Sequence, residues 1–504
     1  MQHKKIVVAV ALVVAVLFIV GFSLGFAQET LKHTRAPINP DYLKYLDNLK
    51  QGKIQSLTAN GKGLGFIPPT VDLSHTKGQK IYPIDKSFAP PSFYDLRSTG
   101  KVTPIRNQGS AGSCWAHAAY ASLESCLLPA ETWDFSENNM KNLLSTTYSY
   151  YSEGFNRMHD DGGNHYKATA YLARWSGPIL ETDDPYNATS GLSPMDKSPK
   201  KRIMNVDFIP ERDSYTDNDN IKYAIMNYGA VYSSYYHNDS YYNGSHYAYY
   251  YNGASGTNHA IALVGWNDDF PASYFTSTPP GNGAFIFKNS WGTYYGENGY
   301  FYISYYDTNI GTYNAVFRYA EPTTSYNRVY QYDPLGWTDG WGFLYTYTGW
   351  FAAIYTAADS DQLAAVSFYA GATSSSYEIY VYDDVSVDAP RSGTLVGTKT
   401  GTIAVPGYST IVLDSPFTLT AGRRFSVVVK LTTPGYAWPI PIEDQISGAG
   451  GSSLARANQH ETYYSDAGVT WTDTEVDTAN ASVCLNALTQ SAHVTSSSNW
   501  QLYR

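Results

Sequence analysis

Gln108 and Cys114 stand six residues apart in the run Asn107-Gln108-Gly109-Ser110-Ala111-Gly112-Ser113-Cys114-Trp115-Ala116-His117. A cysteine attacks as its thiolate, so the first requirement is a setting that favours the anion. After Cys114 the apolar residues Trp115, Ala118, Ala119, Leu123 and Leu127 recur at helical spacing, with no proline before Pro129. This pattern predicts a helix with Cys114 at or near its N-terminus, where unpaired N–H groups favour negative charge and lower a thiol pKa. Gly109 and Gly112 allow the preceding loop to turn tightly and a ligand to approach the backbone. Taken alone, the cysteine reads more simply as a buried thiol opening a core helix. Only partners elsewhere in the chain can overturn that reading.

Two later stretches offer partners. Asn258-His259-Ala260-Ile261-Ala262-Leu263-Val264-Gly265-Trp266 sets a histidine at the mouth of a buried strand. Phe287-Lys288-Asn289-Ser290-Trp291-Gly292 ends another strand in an amide and an indole. In this order the three motifs resemble the papain-like cysteine peptidases. The resemblance begins at Pro90-Pro91-Ser92-Phe93-Tyr94-Asp95-Leu96-Arg97, similar to the mature start of such enzymes, and includes Gly162-Gly163-Asn164 and Glu181-Thr182-Asp183-Asp184-Pro185-Tyr186. It closes with the Trp291–Ile303 run.

The resemblance implies roles. Cys114 is then the nucleophile and His259 its partner in a thiolate–imidazolium pair. Asn289 fixes the far side of the imidazole, and Trp291 shields that bond from water. Gln108, with the backbone N–H of Cys114, serves the oxyanion. Gly162 and Gly163 bind an extended substrate backbone, and Asn258 and Trp291 complete the substrate-binding set. Some positions depart from the family pattern. Ala111 stands where a disulfide-forming cysteine is usual, Asn258 where an acid is frequent, and His117 where an aromatic is usual. His117 shares the helix with Cys114, whose geometry holds it to one side of the thiol. An insertion at Asp268–Gly283 lengthens the path from His259 to Asn289 and is expected near the cleft.

The positioning elements can be read from periodicity and composition. The 504 residues suggest about two to four domains, with 43% hydrophobic residues and 47 tyrosines. A net charge of −10 and few charged residues argue against a nucleic-acid partner. Lys4 and Lys5 precede an apolar run from Ile6 to Val20, giving residues 1–27 the layout of a secretory signal. Extended to Phe26, the same run is long enough for a membrane anchor. Either reading exports the rest of the chain to a secreted or cell-surface location. Residues 28–88 are polar and Pro/Gly-punctuated, and read as a pro-segment or linker with Lys62–His75 extended. Residues 89–322 read as an α+β papain-like, two-lobed domain, with helices first and strands later. Residues 323–488 carry short alternating strands such as Tyr377–Tyr382, Ser409–Leu413 and Arg424–Leu431, and predict an all-β sandwich. A Ser-rich tail, 489–504, ends the chain.

With three cysteines the chain has no disulfide framework. Cys126 lies too far along the helix to bridge Cys114, and free thiols are preferred over a Cys126–Cys484 bridge. Asp217–Asn220 lacks the glycine and distal glutamate of a calcium loop and reads as a helix cap. Asn187, Asn238, Asn243 and Asn480 fit the N-glycosylation pattern. Trp337, Trp341, Trp350 and Trp438 are candidates for a sugar-stacking platform or, more simply, core. The order of pro-segment, peptidase-like domain and β domain resembles microbial exported peptidases with a lectin-like domain. The expected function is an exported cysteine endopeptidase acting on a protein or peptide substrate without a cofactor. A cell-surface glycan is the candidate partner of the β domain, and the membrane is a partner only through a retained anchor. The rival readings are a non-catalytic adhesion protein on a peptidase scaffold and an acyl-transferring relative.

Overall fold

The Cys114–Leu127 helix forms where the apolar spacing places it, and residues 114–125 are all buried. A helix buried on every side is an inner element, and this one packs against the strands Thr312–Pro322 and His259–Asn267. The structure is a computed structural model that describes residues 32–84 and 88–491. The signal or anchor expected at 1–27 and all but the first residues of the tail lie outside the described residues. Among the described residues no helix is long and apolar enough to cross a membrane.

Three further helices, Glu137–Leu143, His165–Ala173 and Asp219–Asn227, come next in the first part of the chain. Asn164 of the Gly-Gly-Asn motif caps the second of them by accepting from Lys167 N. The third differs from expectation. Asn218 makes no side-chain cap bond. Its Oδ1 instead accepts from Arg212 Nη1 at 2.9 Å, and Asp217 pairs with Lys80. The strands Lys201–Ile209, Thr312–Pro322, Val231–Tyr235, His259–Asn267, Ala284–Lys288 and Tyr300–Ser304 then lie side by side in that order.

Register brings the distant motifs together. His259–Asn267 and Ala284–Lys288 are antiparallel, with Ala262 opposite Lys288 and Asn267 opposite Ala284. His259 and Asn289 therefore share one end of the hairpin, and the Asp268–Gly283 insertion joins the other end. Eight residues of strand separate that end from His259, about 26 Å at the usual rise. The insertion is thus not a cleft loop. Phe270 and Phe275 tuck against Tyr250 and Tyr302, and Asp268 pairs with Lys222.

The C-terminal all-β part layers a sheet of six strands, running from Thr394–Ile403 to Thr472–Asp473, over Gln362–Ala370 and its neighbours. Phe351, Ile379 and Val427 from the first layer meet Val366 and Phe368 from the second in one core. Trp341 and Trp337 are core residues, whereas Trp350 and Trp438 are partly exposed. The final strand, Leu485–Gln490, runs past the start expected for the tail, and Thr489 is buried. Gly407, Tyr408 and Ser409 pair with Asp207, Val206 and Asn205, so one sheet continues from the first half of the chain into the second.

Residues 33–84 hold one element that the polarity of the segment concealed, the helix Pro40–Lys50. Asn39 caps it by accepting from Asp41 N, and Pro40 occupies the first turn. The signal was legible as Asn39-Pro40-Asp41 ahead of Tyr42, Tyr45, Leu46 and Leu49. Tyr42 is 1% exposed, and its hydroxyl donates to Ser447 O at 3.1 Å in the β part.

Candidate active site

Four residues from three separate stretches converge at the N-terminus of the Cys114 helix. Cys114 Sγ accepts from Ala260 N at 3.4 Å, which sets the thiol beside His259 on the adjoining strand. His259 Nε2 lies 2.8 Å from Asn289 Oδ1, and that oxygen also accepts from Ser290 N at 2.8 Å. Asn289 presents an acceptor, so His259 Nε2 carries the proton, and the neutral ring keeps its lone pair on Nδ1. Nδ1 has no hydrogen-bond partner among the described residues. The arrangement leaves one imidazole nitrogen available to take a proton. Trp291 stacks on the ring with centroids 4.5 Å apart.

Gln108 is wholly buried, with Oε1 accepting from Ser290 Oγ at 2.6 Å. That bond turns Nε2 toward the cleft. There Nε2 donates to Ala111 O at 2.7 Å and to Gly63 O at 3.0 Å. Gly63 belongs to the segment before the peptidase-like part, and its neighbours run straight through the site. Gly63 N donates to Gly109 O, Phe66 N to Asn258 O, Gly163 N to Gly65 O and Ile67 N to Gly163 O, at 2.9–3.0 Å. Phe66 and Gly163 form a parallel bridge. A Cβ on Gly65 would fall 2.1 Å from Gly112 O, and one on Gly162 would fall 2.5 Å from Gly65 O. The glycines on both sides permit this backbone-to-backbone approach. A cavity of about 210 Å³ lies beside this strand, lined by Asp41, Asp72, His165, Glu211 and Tyr313, and Cys114 is not part of it.

Residues 90–318 match the family model described as papain family cysteine protease, and residues 329–489 match the one described as lectin like domain. The crystal structure of the cysteine protease and lectin-like domains of Cwp84, a surface layer associated protein of Clostridium difficile, superposes with a TM-score of 0.77. It is 26% identical and covers 92% of this chain and 100% of that chain. The chain carries a papain-family cysteine protease domain and a lectin-like domain. A second Cwp84 structure, described as after propeptide cleavage, is 26% identical, covers 80% of this chain and 100% of its own, and has a TM-score of 0.69. A cysteine protease of Blomia tropicalis is 30% identical over 231 residues, or 45% of this chain, and the match spans 65% of that relative's length.

In the papain-family domain of this chain, burial under the crossing strand outweighs the helix N-terminus. Cys114 is 0% exposed, and burial pushes its thiol up to about 11, although N–H groups of Ala260, Gly65 and Trp115 pull it down. Burial also drives His259 down to about 3 against the opposing bond to Asn289. Burial thus pushes both groups of the covered site toward their neutral forms, against the charge-favouring contacts around them. His117 stays to one side, its Nδ1 3.0 Å from Ser113 O, with burial lowering it to about 3.

Of the expected substrate-binding positions, Gly163 exchanges both backbone bonds with the crossing strand, and Gly162 borders it. Asn258 contributes its carbonyl, while its side chain is held by both backbone groups of His237. Trp291 Nε1 approaches Gly63 O at 3.4 Å.

The sequence reading missed three supporting groups. Ser290 orients Gln108, and Tyr186 braces the loop by donating to Gln108 O at 2.8 Å and meeting Ser113 Oγ at 2.6 Å. His237 packs edge-on to Trp291 at 4.7 Å and lies 3.1 Å from Asp239. Behind the site Glu124 and Lys288 are both buried against Thr103, which donates to Glu124 Oε2 at 2.7 Å and accepts from Lys288 Nζ at 2.9 Å. Burial raises the Glu124 carboxyl and lowers the Lys288 ammonium.

Proposed function

We propose that this chain is a latent cysteine endopeptidase, exported to the cell surface or beyond, in which residues 28 to about 88 are a removable pro-segment. The observation that carries the reading is the contact of His259 Nε2 with Asn289 Oδ1 at 2.8 Å. Asn289 Oδ1 holds the proton on Nε2 and leaves Nδ1 as a base for the Cys114 thiol. Once the cover leaves and water returns, the desolvation that keeps the pair neutral is relieved and proton transfer yields thiolate and imidazolium. The thiolate adds to a peptide carbonyl, and its oxygen becomes an oxyanion where Gln108 Nε2 and the Cys114 N–H can donate. Collapse expels the amine, which takes the proton from His259, and leaves a thioester. Water, deprotonated by His259, hydrolyses the thioester and regenerates the thiol.

The pro-segment mimics part of this occupancy without offering a scissile bond. Gly63 O takes the Gln108 donor, and Gly65 O takes the Gly163 N–H that an extended substrate backbone would otherwise meet. Phe66, 3% exposed and in contact with Tyr313 at 5.3 Å, fills the apolar recess beside Gly163. The related Cwp84, known with its propeptide cleaved and described as surface layer associated, supports both the removal and the surface location. The domain division at 89–322 and 323–488 serves this reading, the second part holding the first rather than contributing reacting groups.

The test is turnover of an internally quenched peptide by the chain before and after removal of residues up to about 88. Removal is expected to raise turnover, and Cys114→Ala to abolish it. Equal turnover with and without the segment excludes latency, and cleavage surviving Cys114→Ala excludes the nucleophile. Product analysis with an added amine separates hydrolysis from acyl transfer.

A further inference from the structure

The lectin-like domain grips the segment ahead of the cleft-filling strand through a built sheet edge. Thr34 and Arg35 pair antiparallel with Gly342 and Trp341, and Ala36 N donates to Gly340 O at 2.7 Å. They form the outer strand of a four-stranded sheet whose next members are Asp339–Gly342, Ile440–Glu443 and Ser482–Val483. Side chains two apart on a strand share a face, and here His33 and Arg35 share an acidic, aromatic one. His33 stacks on the indole of Trp341 with centroids 4.0 Å apart and an interplanar angle of 20°. Its Nδ1 lies 3.0 Å from Asp477 Oδ2. Arg35 Nε donates to Asp339 Oδ2 at 2.8 Å, and Nη2 lies 2.5 Å from Asp444 Oδ2. Both carboxylate side chains are 2% exposed, whereas Arg35 itself is 44% exposed.

This is more recognition than a tether requires. A covalently continuous segment is already at high local concentration and needs no charge-matched seat. Two carboxylates meeting one guanidinium leave an acidic pair at the vacated edge, a setting that favours another cation. An open strand with unpaired N–H and C=O groups accepts an extended chain, and pockets for alternate side chains then select its sequence. We propose that the Asp339–Gly342 edge of the lectin-like domain is a binding site for extended basic peptides with an imidazole- or aromatic-X-Arg pattern, held in this form by His33–Ala36 and open to a partner protein's segment once they leave. The release of His33–Ala36 rests on the reading of residues 28–88 as removable; the peptide specificity does not.

The experiment uses the full chain carrying Cys114→Ala, so its outcome is independent of proteolysis. A fluorescein-labelled pentapeptide of residues 33–37, His-Thr-Arg-Ala-Pro, is titrated by anisotropy against that chain and against the same chain with His33→Ser and Arg35→Ser. The expected result is saturable binding to the substituted chain and at least tenfold weaker binding to the unsubstituted one. An Arg→Ala peptide, or Asp444→Asn in the substituted chain, lowers affinity at least tenfold. Absence of saturation up to millimolar peptide, or equal binding of the Arg→Ala peptide, overturns the proposal. Arg35→Ser alone gives the same ordering at smaller amplitude and serves where the double substitution does not fold.

Discussion

Gly65→Ala is the substitution that separates a strand lodged in the active site from one lying beside it. An added Cβ would sit 2.1, 2.3 and 2.4 Å from the O, C and Cα of Gly112, all backbone atoms of the loop that positions Cys114. No side chain can rotate away, so the crossing strand must retreat. The first bonds to go are Gly163 N to Gly65 O and Ile67 N to Gly163 O. At about 0.5–1.5 kcal/mol each, their loss weakens closure by about 1–3 kcal/mol. At about 1.4 kcal/mol per decade, the open fraction rises about 5- to 150-fold. Cys114 is fully buried when closed, so the rate at which an epoxysuccinyl reagent labels it in the intact chain reads that fraction directly. Mass spectrometry gives the rate and confirms that no residues have been lost. Gly256→Ala is the matched control, because its added Cβ would meet nothing within 4 Å. Labelling of the Gly65→Ala chain no faster than the control would refute the reasoning.

The same geometry makes four further outcomes testable. In the chain freed of the proposed pro-segment, Gln108→Ala is expected to cost about a hundred- to thousandfold in turnover, the proposed oxyanion donor being lost. Ser290→Ala, which frees Gln108 to rotate, should lower kcat with KM little changed, and unchanged kcat in both would move the oxyanion site elsewhere. Burial raises an acid and lowers a base, so with Cys114 pushed up to about 11 and His259 down to about 3 the intact chain is expected to hold a neutral pair between those limits. Thiolate absorbance at 240 nm, taken against Cys114→Ala, should be absent at pH 5–9 and appear at neutral pH on removal of the cover; absorbance in the intact chain at pH 7 contradicts this. A chain ending at Pro322 bares Asn205–Asp207 and withdraws Tyr369, Tyr408 and Tyr436 from the core shared with the Cys114 helix. It is expected to aggregate without titratable Cys114, and a soluble, titratable product would show that the two parts fold separately.

Much of the site was legible because each motif is local. A cysteine opening an apolar helical stripe and a histidine opening a buried strand state their own secondary structure, and Asn289 comes directly after a strand of five residues. What the sequence withheld depends on register or on contacts between distant residues. Ser290 orients Gln108 across 182 positions, and no local pattern announces it. The Asp268–Gly283 insertion suggested a cleft loop by its place between His259 and Asn289, but antiparallel pairing carries it to the opposite end of the hairpin. The polar 33–84 segment promised no core, and indeed builds none alone. Its helix and strands are stabilised against both later parts of the chain, with Tyr42 under Ser447 and Phe66 under Tyr313. The sign of the thiol shift also escaped the sequence. A helix N-terminus lowers a thiol pKa, but the larger opposing effect here is burial, which depends on contacts between distant residues.

The central claim is that Cys114 is a nucleophile held latent by residues 28 to about 88. Active-site titration with an epoxysuccinyl thiol reagent tests it most directly, applied in parallel to the intact chain and to the chain freed of those residues. The expected result is one equivalent bound to Cys114 after removal and little on the same timescale before it, with Cys126 and Cys484 unlabelled in both. Preferential labelling of Cys126 or Cys484, or equal labelling of Cys114 in the two forms, would contradict the account.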